Sequence, residues 1–158
     1  MIFLEALAYV VTILGFPAAI IVFTYEHRRR LGTEENELHR RLSEEYDNFL
    51  RLALGHADLL LWRHAGAATT FTEEQLERRD ILFRMLVSLF EKAYIILYTD
   101  GMDRDATRRW LSWEDDMREW CRRPVFCTLL PKLLEGEDDA FSAHIRRIAE
   151  AEARAAPV

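Results

Sequence analysis

Apolar positions fall into two kinds of stretch. Residues 6–24, ALAYVVTILGFPAAIIVFT, carry no charge at all. Beyond them, apolar residues recur at helical spacing and alternate with charged faces. About nineteen residues at 1.5 Å rise cover the hydrocarbon thickness of a bilayer. The stretch therefore predicts one membrane-spanning helix, bent at Pro17. A cleavable signal peptide would carry its basic residues before a shorter apolar core, and a buried core helix would be shorter. Leu38, Leu42, Tyr46, Phe49, Leu50 and Ala53 predict an amphipathic helix closed near Gly55, followed by a short apolar piece over 58–62 and a loop over 66–70. Thr72-x-x-Gln75 is a capping box and opens the longest predicted helix, 72–98. From Ile81 its polar residues, Arg84, Ser88, Glu91 and Lys92, make one narrow stripe, as on the central helix of a bundle. Three charges within the run exclude a second span.

A further helix is predicted over 106–122, capped by Asp103 or Asp105 and stopped by Arg123-Pro124. A short helix carries Phe126, Leu129, Leu130, Leu133 and Leu134. After Gly136, Asp138 or Asp139 caps a last one with Phe141, Ile145 and Ile148 on one face. The alanine-rich end is expected to fray, leaving 151–158 as a tail. No strand-period alternation occurs. The expected fold is all-α: an amino-terminal anchor with its basic flank over 1–30, then a compact bundle of about five helices over 31–150.

Charge orients the anchor. Only Glu5 and the amino terminus precede the span, whereas Arg28, Arg29 and Arg30 follow it. The positive-inside tendency puts the terminus outside and the bundle in the cytoplasm, with the arginines against the headgroups of the inner membrane. Ala8, Thr12, Gly15 and Ala19 form a small face on the span, a candidate surface for self-association. The net charge of −6 and pI of about 5.4 argue against nucleic acid, which needs a basic patch.

The run ILFRMLVSLFEKAYIILY with RRWLSWEDDMREWCRRPVF and LLPKLLEGEDDAF resembles a widespread group of small bacterial membrane proteins of unknown function. The landmarks are Phe90-Glu91-Lys92-Ala93-Tyr94 and Trp110-Leu111-Ser112-Trp113-Glu114. The resemblance implies the same architecture, a span followed by a helical domain. It brings no activity, cofactor or catalytic residue.

Candidate chemistry is sparse. Trp110, Trp113 and Trp120, with Met117, form a helical stripe that reads as core, with a partner-binding surface as the alternative. Glu114-Asp115-Asp116 and Glu119 read as a solvated face, because neighbouring helix positions cannot converge on a cation. The di-iron pattern Glu-x-x-His is missing, and the histidines share no ligand spacing. Of those histidines, His27 is expected at the membrane interface, with His39, His56, His64 and His144 exposed or in loops. Cys121 and Cys127 read as structural thiols, although Arg122 and Arg123 could activate Cys121. Arg84 and Glu91 are candidate buried polar residues, with Glu91 paired to Arg108, Arg109 or Arg118. These features imply no cofactor, no metal and no enzyme. They point to a single-pass interaction or scaffold module whose partners are the lipid bilayer and another protein or further copies of itself. The alternative is a membrane-perturbing effector whose spans oligomerise when the helical domain senses a signal. Only Thr12 offers a pore-lining polar group, which disfavours the alternative.

Overall fold

The computed structural model describes residues 36–62 and 70–155. The span 6–24, the collar Arg28, Arg29 and Arg30, and the small face Ala8, Thr12, Gly15 and Ala19 lie outside them. The chain divides into two units, 1–40 and 41–158, and the helical domain from Arg41 onward is the second. Among the described residues the fold is all-α, with five α-helices, a one-turn 3-10 helix and no strand. Helix α1 covers 36–55, and the 3-10 turn covers Ala57–Leu59. Then come α2 (Glu73–Leu97), α3 (Arg104–Cys121), α4 (Pro124–Leu133) and α5 (Asp139–Ala155). None of these helices is long and apolar enough to cross a membrane.

Local chemistry sets the boundaries. The capping box at the start of α2 is formed in both directions. The Gln75 N–H donates to Thr72 Oγ1 at 3.2 Å, and the Thr72 N–H donates to Gln75 Oε1 at 3.0 Å. Asp103 caps α3 through the Ala106 N–H at 2.8 Å. Pro124 opens α4, where its missing N–H costs nothing. Asp138 caps α5 through the Phe141 N–H at 2.8 Å. Gly136 takes φ +92° in the turn before it, a conformation that L side chains avoid. Leu60 does so without being glycine, at φ 52°. The turn it makes carries Leu59 and Leu61, on either side, into the core.

The expected tail departs from the prediction, because α5 continues through 151–155 to Ala155. Alanine, glutamate and arginine are strong helix formers. Glu152 also ties this last turn to α3, accepting from Arg118 at 3.4 Å and from Arg122 at 2.8 Å.

Helix α2 is the central element and packs on α3, α4, α5 and the 3-10 turn. It buries Leu82, Phe83, Leu86, Val87, Leu89, Phe90 and Ala93. The tryptophan stripe is core. Trp110, Trp113 and Trp120 are at most 3% exposed and Met117 is fully buried. The rings interlock at an angle, with Phe83 and Phe126 centroids 5.4 Å apart and Phe83 and Trp120 centroids 6.2 Å apart. The outer side of α2 is less polar than its sequence suggests. Ile81, Met85, Ile95 and Ile96 are exposed around Ser88 and Lys92. Arg84 is exposed as well, which corrects its expected burial.

Candidate functional site

The polar side chains that sequence reasoning singled out tie helices to one another. Glu114 is the centre of one tie between α3 and α5. It accepts the Trp110 Nε1–H at 3.2 Å and a guanidinium N–H of Arg118, one turn along α3. His144 Nε2 of α5 lies 3.7 Å from it. Glu152 completes the row through Arg118 and Arg122. Glu114 is therefore no solvated acid, and Arg118 is engaged where Glu91 was expected to need it.

His144 was expected in solvent or a loop and is instead buried on α5. Tyr94, Tyr98 and Trp110 surround it at centroid distances of 5.2, 5.6 and 5.5 Å. Burial holds its pKa below the ordinary histidine value against the pull of Glu114, and Arg147 and Arg118 push the same way. The signal was available in the sequence: His144 lies between Phe141 and Ile145 and Ile148, at spacing that shares their face. A buried histidine beside a carboxylate resembles half of an acid–base pair. The buried Ser142 hydroxyl is two residues away on the same helix, about 200° round the axis, so the two do not form a nucleophile and base.

A second polar string crosses the core from α3 to α1. Trp120 Nε1–H donates to the Tyr46 hydroxyl at 3.1 Å, and that hydroxyl donates to Asp116 Oδ1 at 3.3 Å. Burial raises the pKa of both Tyr46 and Asp116. Arg123, read from sequence as part of a helix stop and as a cation that could activate Cys121, is 1% exposed. Its guanidinium stacks between Trp62 at 4.9 Å and Trp120 at 4.4 Å, and it donates to the Glu119 backbone oxygen and carboxylate. In the turn after α3 its N–H donates to the Trp120 backbone oxygen at 3.1 Å, which keeps the two residues together.

Glu91 is half-buried but meets no arginine of α3. It accepts the N–H of Asp138, at the start of α5, so it fastens α2 to the turn after α4. Glu137 lies beside it. Burial, then a hydrogen bond with Glu91, pushes the Glu137 carboxyl up to about 7, and Arg84 opposes the shift. The Glu137 carboxyl is therefore held in its neutral form well above the ordinary carboxylate range.

The cysteines are free thiols. Cys127 Sγ lies 2.6 Å from the Cys121 carbonyl oxygen, joining α4 to the end of α3. The hydrogen bond with Cys127, then burial, raises the Cys121 pKa, the opposite of activation by Arg122 and Arg123. Arg122 turns to Glu119 and Glu152, and Arg123 turns to the indoles. Among the described residues no group of three His, Cys, Asp or Glu could hold a metal ion.

Open space lies along α1. A cavity of about 620 Å³ is walled by Leu50, Ala53, Leu54, Leu60 and Trp62. A groove of about 680 Å³ runs between α1 and α2, bordered by Glu45, Asn48, Leu52, Met85, Ser88 and Lys92. Both fall in the size range of ligand and peptide sites, and their exposed walls are mostly apolar. Compared with protein-family models, with curated proteins and with solved structures, the chain matches none.

Proposed function

We propose that the protein is a membrane-anchored, non-enzymatic interaction module. Residues 6–24 would span the bilayer, and the helical domain would work at the cytoplasmic face of the inner membrane. The observation that carries this reading is the division of labour among the side chains. Glu91, Glu114, Asp116, Glu152, Tyr46 and His144, the groups with catalytic potential, are engaged between helices. Leu52, Leu54, Trp62, Ile81, Met85 and Ile95 are large, apolar and at least 39% exposed, all on or beside α1 and α2. That combination suits a rigid body that presents a surface, and tethering it raises the effective concentration of whatever it holds.

The two landmark segments fit the same reading. Phe90 and Ala93 are core, Glu91 holds the start of α5, and Tyr94 packs on Trp110, Phe141 and His144. Trp110 and Trp113 are core and Glu114 joins α3 to α5. Both segments are therefore joints of this architecture.

Topology tests the reading. A phosphatase reporter that folds only outside the cytoplasm, fused after Val158, should stay inactive in the membrane fraction. Replacing Arg28, Arg29 and Arg30 with serine should raise its activity. High activity from the unsubstituted fusion would reject the orientation.

A further inference from the structure

The outer face of α2 has a layout of its own. Ile81, Met85, Ser88, Lys92 and Ile95 follow one another at intervals of four, three, four and three, and therefore lie along one side of the helix. Ile81, Met85 and Ile95 are 51%, 47% and 61% exposed, more than single surface apolars require. The stripe is close to symmetric about its smallest member. Ile81 and Ile95 stand seven residues to either side of Ser88. Alongside α2 the groove floor continues onto α1 through Leu52.

The charges repeat that symmetry. Arg84 lies four residues before Ser88, and Glu91 lies three after it on the same flank. Arg84 is exposed and makes no hydrogen bond or ion pair among the described residues. On the other flank Lys92 is already held by Glu45 of α1 at 3.1 Å, so the groove carries no repulsive cation there.

We propose that this face is the interface between two copies of the chain, with the α2 helices antiparallel across a two-fold axis at Ser88. A two-fold contact requires one surface to complement itself. Reversing the helix about Ser88 puts Ile81 against the partner copy's second isoleucine, Ile95, and Arg84 against its Glu91. Both contacts occur twice. The small Ser88 lets the helices approach, and Lys92 lays its aliphatic stem over Met85 while its ammonium stays with a carboxylate. The proposal rests on and deepens the reading above by naming the surface and making the partner a second copy of the chain. It depends on described residues alone, not on the span.

Cysteine cross-linking of the full chain in membranes tests it, with a short bis-maleimide and the unsubstituted chain as baseline. Ser88→Cys should link to itself in high yield. A mixture of Ile81→Cys and Ile95→Cys chains should link to each other, whereas Ile81→Cys alone should link poorly, since its two copies would be about 21 Å apart along the helices. Val125→Cys, exposed on α4, should stay at baseline. Arg84→Glu should lower the Ser88→Cys yield several-fold while leaving the helical circular dichroism unchanged. A Ser88→Cys yield at baseline overturns the interface. So does a yield no higher than that of Val125→Cys. Dimers that cross-link through the span while Ser88→Cys does not would overturn this interface and leave self-association standing.

Discussion

Trp120 and Tyr46 lie 74 positions apart in the chain and meet through one hydrogen bond, indole nitrogen to phenol oxygen at 3.1 Å. The contact closes α3 against α1 inside the core. It also explains why a large polar-edged ring can be buried there, since Trp and Tyr need a partner for their polar atoms. Removing the Tyr46 hydroxyl leaves the indole N–H buried and unsatisfied. Tyr46→Phe should cost about 1–3 kcal/mol in denaturant unfolding. No measurable loss would show that the bond carries nothing.

The tryptophan stripe can be tested against a neighbour on the same helix. Trp113 is 3% exposed and Leu111 is 49% exposed. Trp113→Ala should cost about 3–5 kcal/mol. Leu111→Ala should stay within about 0.5 kcal/mol. Equal, small costs would move the stripe from core to surface.

The Glu137 carboxyl predicts a pH dependence. Glu137 takes up its proton at about 7 in the folded protein, above the ordinary glutamate value near 4.5. A raised carboxyl pKa means that the fold binds the proton more tightly than the unfolded chain does. Its stabilising contribution is full below about pH 4.5 and is lost as pH rises toward 7. Glu137→Gln keeps the neutral form at every pH. The variant should match the parent near pH 4.5 and exceed it in stability above pH 7, as read from urea midpoints. Identical pH profiles would contradict the raised Glu137 carboxyl.

His144 works in the opposite direction. Its folded pKa lies below 6.5, so the unfolded chain protonates first, and stability is lost as pH falls through that value. His144→Phe should hold its stability between pH 7 and pH 5 better than the parent does. A parent that loses nothing over that window, once the Glu137 effect is subtracted with the Gln variant, would contradict the buried neutral imidazole.

Helix positions were legible because periodicity and caps are local properties. Thr72, Asp103, Pro124 and Asp138 each act within a few residues of themselves, and each stands where a helix begins. The core was legible for the same reason, since Trp110, Trp113 and Trp120 already share a face. What a polar side chain touches was not legible. Glu91 was given an arginine partner and has a backbone N–H of α5 instead, because the α4–α5 turn comes back to α2, a tertiary fact. Arg123 looked like punctuation and is a buried cation between two indoles. The extent of α5 was missed because Glu152, which ties it to Arg118 and Arg122, acts across 34 and 30 residues.

The central claim is the anchor at 6–24, and the most direct measurement is the distribution of the untagged native chain after alkaline washing of membranes. The full-length protein should stay in the pellet and be released only by detergent, and a chain lacking residues 1–30 should move to the supernatant while keeping its helical circular dichroism. Recovery of the intact full-length chain in the alkaline supernatant would contradict the reading.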